Sequence, residues 1–438
     1  MNPIRVAFVD YVVDPRYPGR SGLSDIVWDM AAELARGGHT AYVVATYATD
    51  RYPEDGVVVV DLGLPPWVYR NLLGQLYIIW RARGAIRRIA PQVVHVPEYV
   101  SAALLSLCLG RLPVVLTVPG NIYHKLSVRR GHSYEWWYVY VLKLAARISA
   151  RRAARVVAIS AEMRTWWMRT GAPPERTACI PLGGDPRRFH HRAEARGALG
   201  LPIGPALLVY VGRFAREKGV DDLVAAVAIA HAALSRGRAQ VVLIGRGPLE
   251  ASIRARIAAH GLSAVVRIVP WVTQDQLATW YSAADAVVLP SHTEGMSRVI
   301  PEAFLCGTPI VGSAITGTVD HVRPGETGLL FPAGDVNALA EILAAAAGDP
   351  RALRGMRAGV AAYAARHLTW ASIVGRVLEE VYAPLLGVTE SRVSTPSGQL
   401  SGSGPVGPLR LPGRPGRWGR KRGRVRRGSR GQHHHPDL

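Results

Sequence analysis

"DIVWDMAAELARGGHTAYVVA" occupies residues 25–45. Ile26, Val27, Met30 and Leu34 fall on one helical face, and Gly37-Gly38 stops the run. The period then changes, because Tyr42–Ala45 is a short run of the kind that forms a buried strand, as is Val6–Val9 upstream. Strand, helix and strand in that order imply parallel pairing through a right-handed crossover. The alternation continues outward with strands expected at Val57–Val60, Val93–Val96, Val114–Val118 and Val156–Ile159. It pauses over "PLGGDPRRFHHRAEARGALGLPIGP", Pro181–Pro205, which is rich in Gly, Pro and Arg and reads as a connection between domains. It then restarts, with strands expected at Leu207–Val211, Val241–Ile244, Val265–Val269, Ala286–Leu289 and Pro309–Gly312. The intervening helices are Val220–Ser235, Leu249–His260 and Gln274–Ala284, the last preceded by a Thr273/Gln276 capping box. A final helix, Trp370–Tyr382, carries Trp370, Ile373, Val374, Val377, Leu378, Val381 and Tyr382 in a stripe too apolar to stay solvated. The fold class expected is α/β, two Rossmann-like doubly wound parallel-sheet domains facing a cleft.

Bulk properties set outer limits. The chain has 438 residues, 49% of them hydrophobic, and a formal charge of +21, which favours anionic partners: phosphates, nucleic acid or acidic lipid. Cys108, Cys179 and Cys306 are far apart and have neither metal-ligand nor redox spacing, so they read as buried thiols of a reducing compartment. The N-terminus lacks a signal-peptide layout, and no apolar stretch reaches the roughly 18–20 residues that span a bilayer. A cytoplasmic location is expected, with peripheral attachment to the membrane face left open. From Gly387 onward eleven lysines and arginines stand against Glu390 and Asp437, with few large apolar residues, so residues 387–438 are expected to be a disordered Arg/Gly-rich tail. Such a tail binds nucleic acid or acidic membranes non-specifically through charge.

Four strand ends carry candidate chemistry, since ligands of parallel sheets sit at the carboxyl ends of strands and helix N-termini favour anions. In "VGRFAREKG", Arg213 and Lys218 share one strand–loop–helix turn and could clamp a diphosphate; alone, the stretch is also an ordinary basic loop. "LIGRGPLE" offers Gly245 and Gly247 for close backbone approach but lacks the third glycine of a dinucleotide fingerprint, which argues against a dehydrogenase. "PSHTEGMSRVIPEAFLCGTP" places Glu294 in a loop beside Gly295, and Pro301 is tolerated only in the first turn of the next helix, which puts Glu302 early in that helix. Paired carboxylates accept hydrogen bonds from vicinal diols; two glutamates at a helix start are also a solvated end favoured by the dipole. "YPGRSGLSDIVWDMAAEL" brings Gly19 and Gly22 before a helix, a phosphate-facing turn or a simple loop.

Taken together, "SG…RGGH", "ISAEM…IPLGGDPRRF", "VGRFAREKG", "LIGRGPLE", "LPSHTEGMSRVIPEAFLCGTPIVGS" and "GETGLLF" resemble the family 4 type retaining glycosyltransferases, or glycosyl transferases group 1, over about residues 4–383. The resemblance implies the GT-B fold: an acceptor domain at 1–185, a connection at 186–205, a donor domain at 206–368, and the final helix 369–384 crossing back to the N-terminal domain. It implies a metal-independent, cofactor-free transfer of a hexose-type sugar from a UDP-, GDP- or ADP-linked donor to a glycan or lipid-linked acceptor. Arg213 and Lys218 would hold the diphosphate, and Glu294 with the amides around Gly295, Met296 and Ser297 would hold the sugar. Glu302 would bind the ribose, the stretch Arg267–Trp271 would line the base pocket, Gly245 would belong to the donor site, and Gly22 would face the phosphates. The chain departs from the family at Pro119-Gly120, where relatives often carry histidine. Asn121 and His124 are the acceptor-side candidates, with His124 a substitute for that histidine. Ser21-Gly22 replaces Gly-Gly, and Asp320 stands where relatives often have glutamate.

The acceptor side is less legible. "RNLLGQLYIIWRARGAIRRIA", residues 70–90, and "RRGHSYEWWYVYVLKLAARISARRAARVV", residues 129–157, mix cations with large apolar side chains. Such helices can lie on an anionic membrane. The alternative is that Trp136, Tyr140 and Leu144 form a core-facing stripe while the arginines are solvated. Two other function classes compete with the transferase: a GT-B-fold sugar-nucleotide epimerase, which needs acid/base groups in the cleft, and a non-enzymatic binder of polyanions or membranes working through the tail.

Overall fold

The computed structural model describes residues 2–12, 22–47, 56–65, 68, 72–117 and 136–387. Seven strands, β1 Arg5–Val12, β2 Thr40–Tyr47, β3 Val58–Asp61, β4 Val93–Val96, β5 Val114–Thr117, β6 Arg155–Ala158 and β7 Thr177–Cys179, form one sheet in the order β3-β2-β1-β4-β5-β6-β7. Six more, β8 Leu207–Val211, β9 Gln240–Ile244, β10 Val266–Val269, β11 Ala286–Leu289, β12 Ile310–Ser313 and β13 Gly328–Phe331, form a second in the order β10-β9-β8-β11-β12-β13. Every pairing in both is parallel. Strands β4, β5 and β11 are buried along their whole length, as β-branched runs covered on both faces should be. In each sheet the order reverses beside the first strand, between β1 and β4 and between β8 and β11, where the carboxyl ends leave a crevice.

The helices that matter below are α1 Gly22–Arg36, α2 Leu72–Ile89, α3 Tyr99–Cys108, α4 Trp136–Arg152, α5 Ala161–Thr170, α6 Val220–Arg236, α7 Glu250–Ala259, α8 Gln274–Ala283, α9 Val299–Leu305 and, near the end, α10 Trp370–Arg376. Right-handed crossovers put α1 on one face of the first sheet and α2 to α5 on the other, because the chain steps one way from β1 to β3 and the other way from β3 to β7. The capping box of α8 forms as expected, with Thr273 accepting from the Gln276 amide and Gln276 from that of Thr273.

Two edge strands lie outside the expected set, and two expectations are corrected. The edge strand β7 carries a short mixed sequence, Thr-Ala-Cys, too brief for a periodic signal. The edge strand β13 begins at Gly328, and its close pairing with β12 would place a Cβ there 2.0 Å from the Ile310 carbonyl oxygen. The final helix is not uniform: α10 gives way to a π-helical stretch, Val377–Tyr382, and a short α turn at Ala383–Leu385. Tyr140 and Leu144 are exposed rather than turned to the core, since the inward positions of α4 are filled by Ala145, Ala146, Ser149 and Ala150; the Trp136 side chain is outside the described set.

The final helix does cross back. Its neighbour in the first domain is α1, and Trp370, Val377, Val381 and Tyr382 are all buried. Tyr382 Oη lies 2.5 Å from His95 Nδ1 on β4, while His95 Nε2 lies 2.6 Å from Thr117 Oγ1 on β5. Burial holds the His95 pKa down to about 3, so the ring is neutral and uses one nitrogen as donor and the other as acceptor. Tyr382→Phe leaves one buried ring nitrogen unpaired and is expected to cost about 1–3 kcal/mol in denaturant unfolding. An unchanged midpoint would show that this contact does not anchor the helix.

Candidate functional site

The loop after β8 runs from Gly212 into a single 3-10 turn, Arg216–Lys218, that ends at Gly219. Gly219 has φ 61°, and a Cβ there would sit 1.9 Å from the Pro290 carbonyl oxygen. Only glycine permits this approach, and it packs the loop after β8 against the loop after β11. The His292 amide donates to the Glu217 carbonyl (3.0 Å) across the same seam. The result is a meeting of side chains from the two loops: Lys218 Nζ lies 2.5 Å from Glu294 Oε1, and Ser291 Oγ donates to Glu294 Oε2 at 3.2 Å. Arg213, largely exposed, pairs with Glu217 on the same turn.

Gly245 and Gly247 make a close approach, but to protein. Cβ atoms there would meet the Gly212 carbonyl oxygen at 2.0 Å and the Phe214 carbonyl oxygen at 2.3 Å, so these glycines seat the loop after β9 against that after β8. Gly295 is pressed by Gly317, whose added Cβ would lie 2.2 Å from its carbonyl oxygen. Met296 and Ser297 are buried, and the Leu182 amide lies 3.1 Å from Met296 Sδ, joining this loop to the interdomain connection.

Pro301 falls in the first turn of α9, as its missing N–H requires, and Glu302 follows it. Glu302 is only 8% exposed. Tyr281 Oη on α8 donates to its Oε2 at 3.0 Å, and Arg298 reaches to 3.6 Å of Oε1. Burial pushes the Glu302 pKa up to about 7, against the pull of Arg298 and of the Tyr281 hydrogen bond. Arg298 also spans the cleft, with its guanidinium 2.8 Å from Asp25 and 3.8 Å from Asp29, both on α1. Burial likewise raises Asp29 to about 6. Gly22 is the first residue of α1, so the starts of α1 and α9, one from each domain, lie close enough for one arginine to bridge them.

Arg267 and Trp271 sit apart from this group, on the edge strand β10 and the loop beyond it. Arg267 lies 6.0 Å from the Trp280 ring centre and Trp271 is 77% exposed. Asp320 accepts from the Ala161 amide (3.2 Å) at the start of α5, an interdomain contact. Asn121 and His124, with Pro119, lie outside the described residues. Arg298 and Tyr281 were not singled out from sequence; the spacing of Arg298, four before Glu302, was the available signal. A cavity of about 310 Å³ opens near the starts of α6 and α7, lined in part by Arg216, Asp221, Arg256 and His292. Its cations are offset by Asp221 and by Asp222, which holds His292 Nε2 at 3.1 Å, and no predicted site residue lines it.

Comparison with known proteins points one way. Residues 191–365 match the model described as Glycosyl transferases group 1, and residues 20–188 match Glycosyltransferase Family 4. The chain is 32% identical over 403 residues to D-inositol 3-phosphate glycosyltransferase 1 of Catenulispora acidiphila, covering 86% of this chain and 95% of that protein. It is 36% identical over 224 residues to D-inositol 3-phosphate glycosyltransferase of Thermobispora bispora, 49% of this chain and 52% of that one. Sucrose-phosphate synthase from Thermosynechococcus elongatus superposes with a TM-score of 0.73 at 23% identity, covering 88% of this chain and 99% of that structure. Anabaena Alr3699/HepE, solved in complex with UDP and glucose, gives 0.69 at 20% identity, covering 87% and 100%. At these identities the structural likeness is one of fold.

Proposed function

The chain belongs to the group 1 glycosyl transferases and has the GT-B fold, and from that premise we propose that it moves a hexose-type sugar from a nucleoside-diphosphate sugar to a glycan or lipid-linked acceptor, with retention at the anomeric carbon. The observation that carries this reading is the meeting of Lys218 with Glu294, beside Arg213, at the carboxyl ends of β8 and β11. The diphosphate would take Arg213 and Lys218 from Glu217 and Glu294, so that two cations already held in place stabilise the charge growing on the leaving group. Side-chain cations fill the role a metal would otherwise have. Glu294, released from Lys218, would accept hydrogen bonds from the sugar hydroxyls together with the amides around Gly295, Met296 and Ser297. Glu302 would accept from the ribose. Positioning and charge stabilisation suffice if the departing diphosphate itself takes the acceptor's proton on the same face of the sugar, and no protein nucleophile is assigned.

The acceptor is the finer question. A relative matched over nearly its whole length is named for inositol 3-phosphate, which belongs in any acceptor panel. The exposed apolar and basic helices of the first domain support a lipid-linked acceptor at the cytoplasmic membrane face.

The test begins with the donor. Thermal unfolding of the full chain is measured with UDP, GDP, ADP and CMP, and again for Arg213→Ala. A ligand at about 100 times its Kd stabilises the fold by about 2.7 kcal/mol. We expect one nucleoside diphosphate to raise the midpoint and Arg213→Ala to remove the shift. No shift with any nucleotide would sink the donor-site assignment.

A further inference from the structure

Helix α2 places Leu73, Leu76, Tyr77 and Trp80 at i, i+3, i+4 and i+7, the spacing of a core-facing stripe, yet all four are exposed, Leu73 at 79% and Trp80 at 63%. The helix already has a core face in Ile78, Ile79, Ala82 and Ile86. The outer stripe is therefore a second apolar face, and the Tyr77 and Trp80 rings stack on it with centroids 5.9 Å apart. Helix α4 repeats the arrangement with Tyr140, 62% exposed, and Leu144. Both helices lie on the same side of the first sheet, with α3 packed between them.

The charge of α2, α3 and α4 is one-sided. Helix α2 holds Arg81, Arg83, Arg87 and Arg88, and α4 holds Lys143, Arg147, Arg151 and Arg152; neither helix, nor α3, contains an acidic residue. Arg81 and Arg83 are tied to the carbonyls of Leu62 and Cys108, while the other six cations are exposed. In both helices the exposed apolar residues occupy the N-terminal half, and most of the cations lie further along. A crossover helix starts at the carboxyl ends of the strands, so the apolar halves border the cleft.

We propose that the outer face of α2 and α4 docks on an anionic lipid bilayer, with Leu73, Tyr77, Trp80 and Tyr140 entering the interface and the exposed cations meeting headgroups. A second copy of the chain is a poor occupant, because a twofold contact would set cations against cations with no carboxylate to match them. The chain's own C-terminal tail is basic and is disfavoured for the same reason. An anionic bilayer supplies both the apolar medium and the opposite charge. No helix among the described residues is long and apolar enough to cross a membrane, so attachment through this face is peripheral. The proposal concerns binding and does not rest on the transferase reading.

The experiment is flotation of the full chain with vesicles of mixed phosphatidylcholine and phosphatidylglycerol, and with phosphatidylcholine alone, at low and high salt. Wild type is expected to float with the mixed vesicles and to be released by salt. Leu73→Ser/Trp80→Ser is expected to lower the partition coefficient at least about tenfold, as loss of buried apolar area requires. Arg87→Glu/Arg88→Glu should lower it at low salt with no defect in folding, checked by thermal unfolding. Equal flotation of wild type and the Leu73/Trp80 variant would overturn the proposal, since both keep the basic tail. So would equal binding to phosphatidylcholine alone, absence of flotation, or a wild-type dimer that the same variant dissociates in light scattering.

Discussion

Lys218→Ala is expected to lower kcat by about two to three orders of magnitude, the usual cost of removing one preorganised group that stabilises developing negative charge. The lysine is held before any donor arrives: Gly219 locks its turn against Pro290, and Glu294 fixes its ammonium. Its removal also strands Glu294, which is 17% exposed and would be left with the Ser291 hydroxyl as its partner. A stability loss of about 1–3 kcal/mol should therefore accompany the rate loss. The two effects separate in a double-mutant cycle. Lys218→Ala/Glu294→Ala should recover much of the stability, because no half-buried carboxylate is left unpaired, while the rate stays low. Steady-state kinetics on the donor identified by the nucleotide screen, with thermal unfolding of the same proteins, checks both. A Lys218→Ala enzyme with unchanged kcat would remove the lysine from the chemistry and leave the pair a structural clamp.

The parallel architecture was readable because the central strands are short β-branched runs and the helices between them carry a core-facing apolar stripe. Helix α1 and strand β2, inside residues 25–45, show both signals within one stretch. Two of the four edge strands defeated the same reasoning: β7 has three residues, and β13 is recognised only by its pairing with β12. The π-helical stretch was invisible because Val377, Val381 and Tyr382 fit an ordinary apolar stripe equally well. At the site, Lys218 and Glu294 were each singled out from local motifs, but their contact depends on Gly219 fitting against Pro290, which is long-range packing. Gly245 and Gly247 signal close backbone approach in the sequence, and the loop that makes that approach comes from elsewhere in the chain. The company Glu302 keeps was hidden for a related reason: Tyr281, Asp25 and Asp29 come from three places in the chain.

That company gives Glu302 a distinctive pH signature. Three carboxylates, on Asp25, Asp29 and Glu302, surround the guanidinium of Arg298, and burial raises Glu302 from 4.5 to about 7 and Asp29 from 3.8 to about 6. A carboxyl raised in the fold keeps its proton after the unfolded chain has released its own. The stability tied to protonated Glu302 is thus fully present below about pH 4.5 and lost as pH rises through about 7. His95 and His321, lowered by burial to about 3 and about 4, act in the opposite direction, since their stability is lost as pH falls below 6.5. Wild type alone can show a flat profile, so the measurement is the difference between Glu302→Gln and wild type. That difference should move in the variant's favour by up to about 3 kcal/mol between pH 4.5 and pH 8, at 1.36 kcal/mol per pKa unit; any constant offset from the amide cancels. The same logic tests the proposed ribose contact. Hydroxyl donors favour the ionised carboxylate, so nucleotide binding at pH 7 should release up to about half a proton. Calorimetry in buffers of different ionisation enthalpy reads that release, and Glu302→Gln should lower it to the part the diphosphate itself gives up on meeting Arg213 and Lys218. Proton uptake, or a release as large in the variant as in wild type, would show that the donor hydroxyls do not reach Glu302.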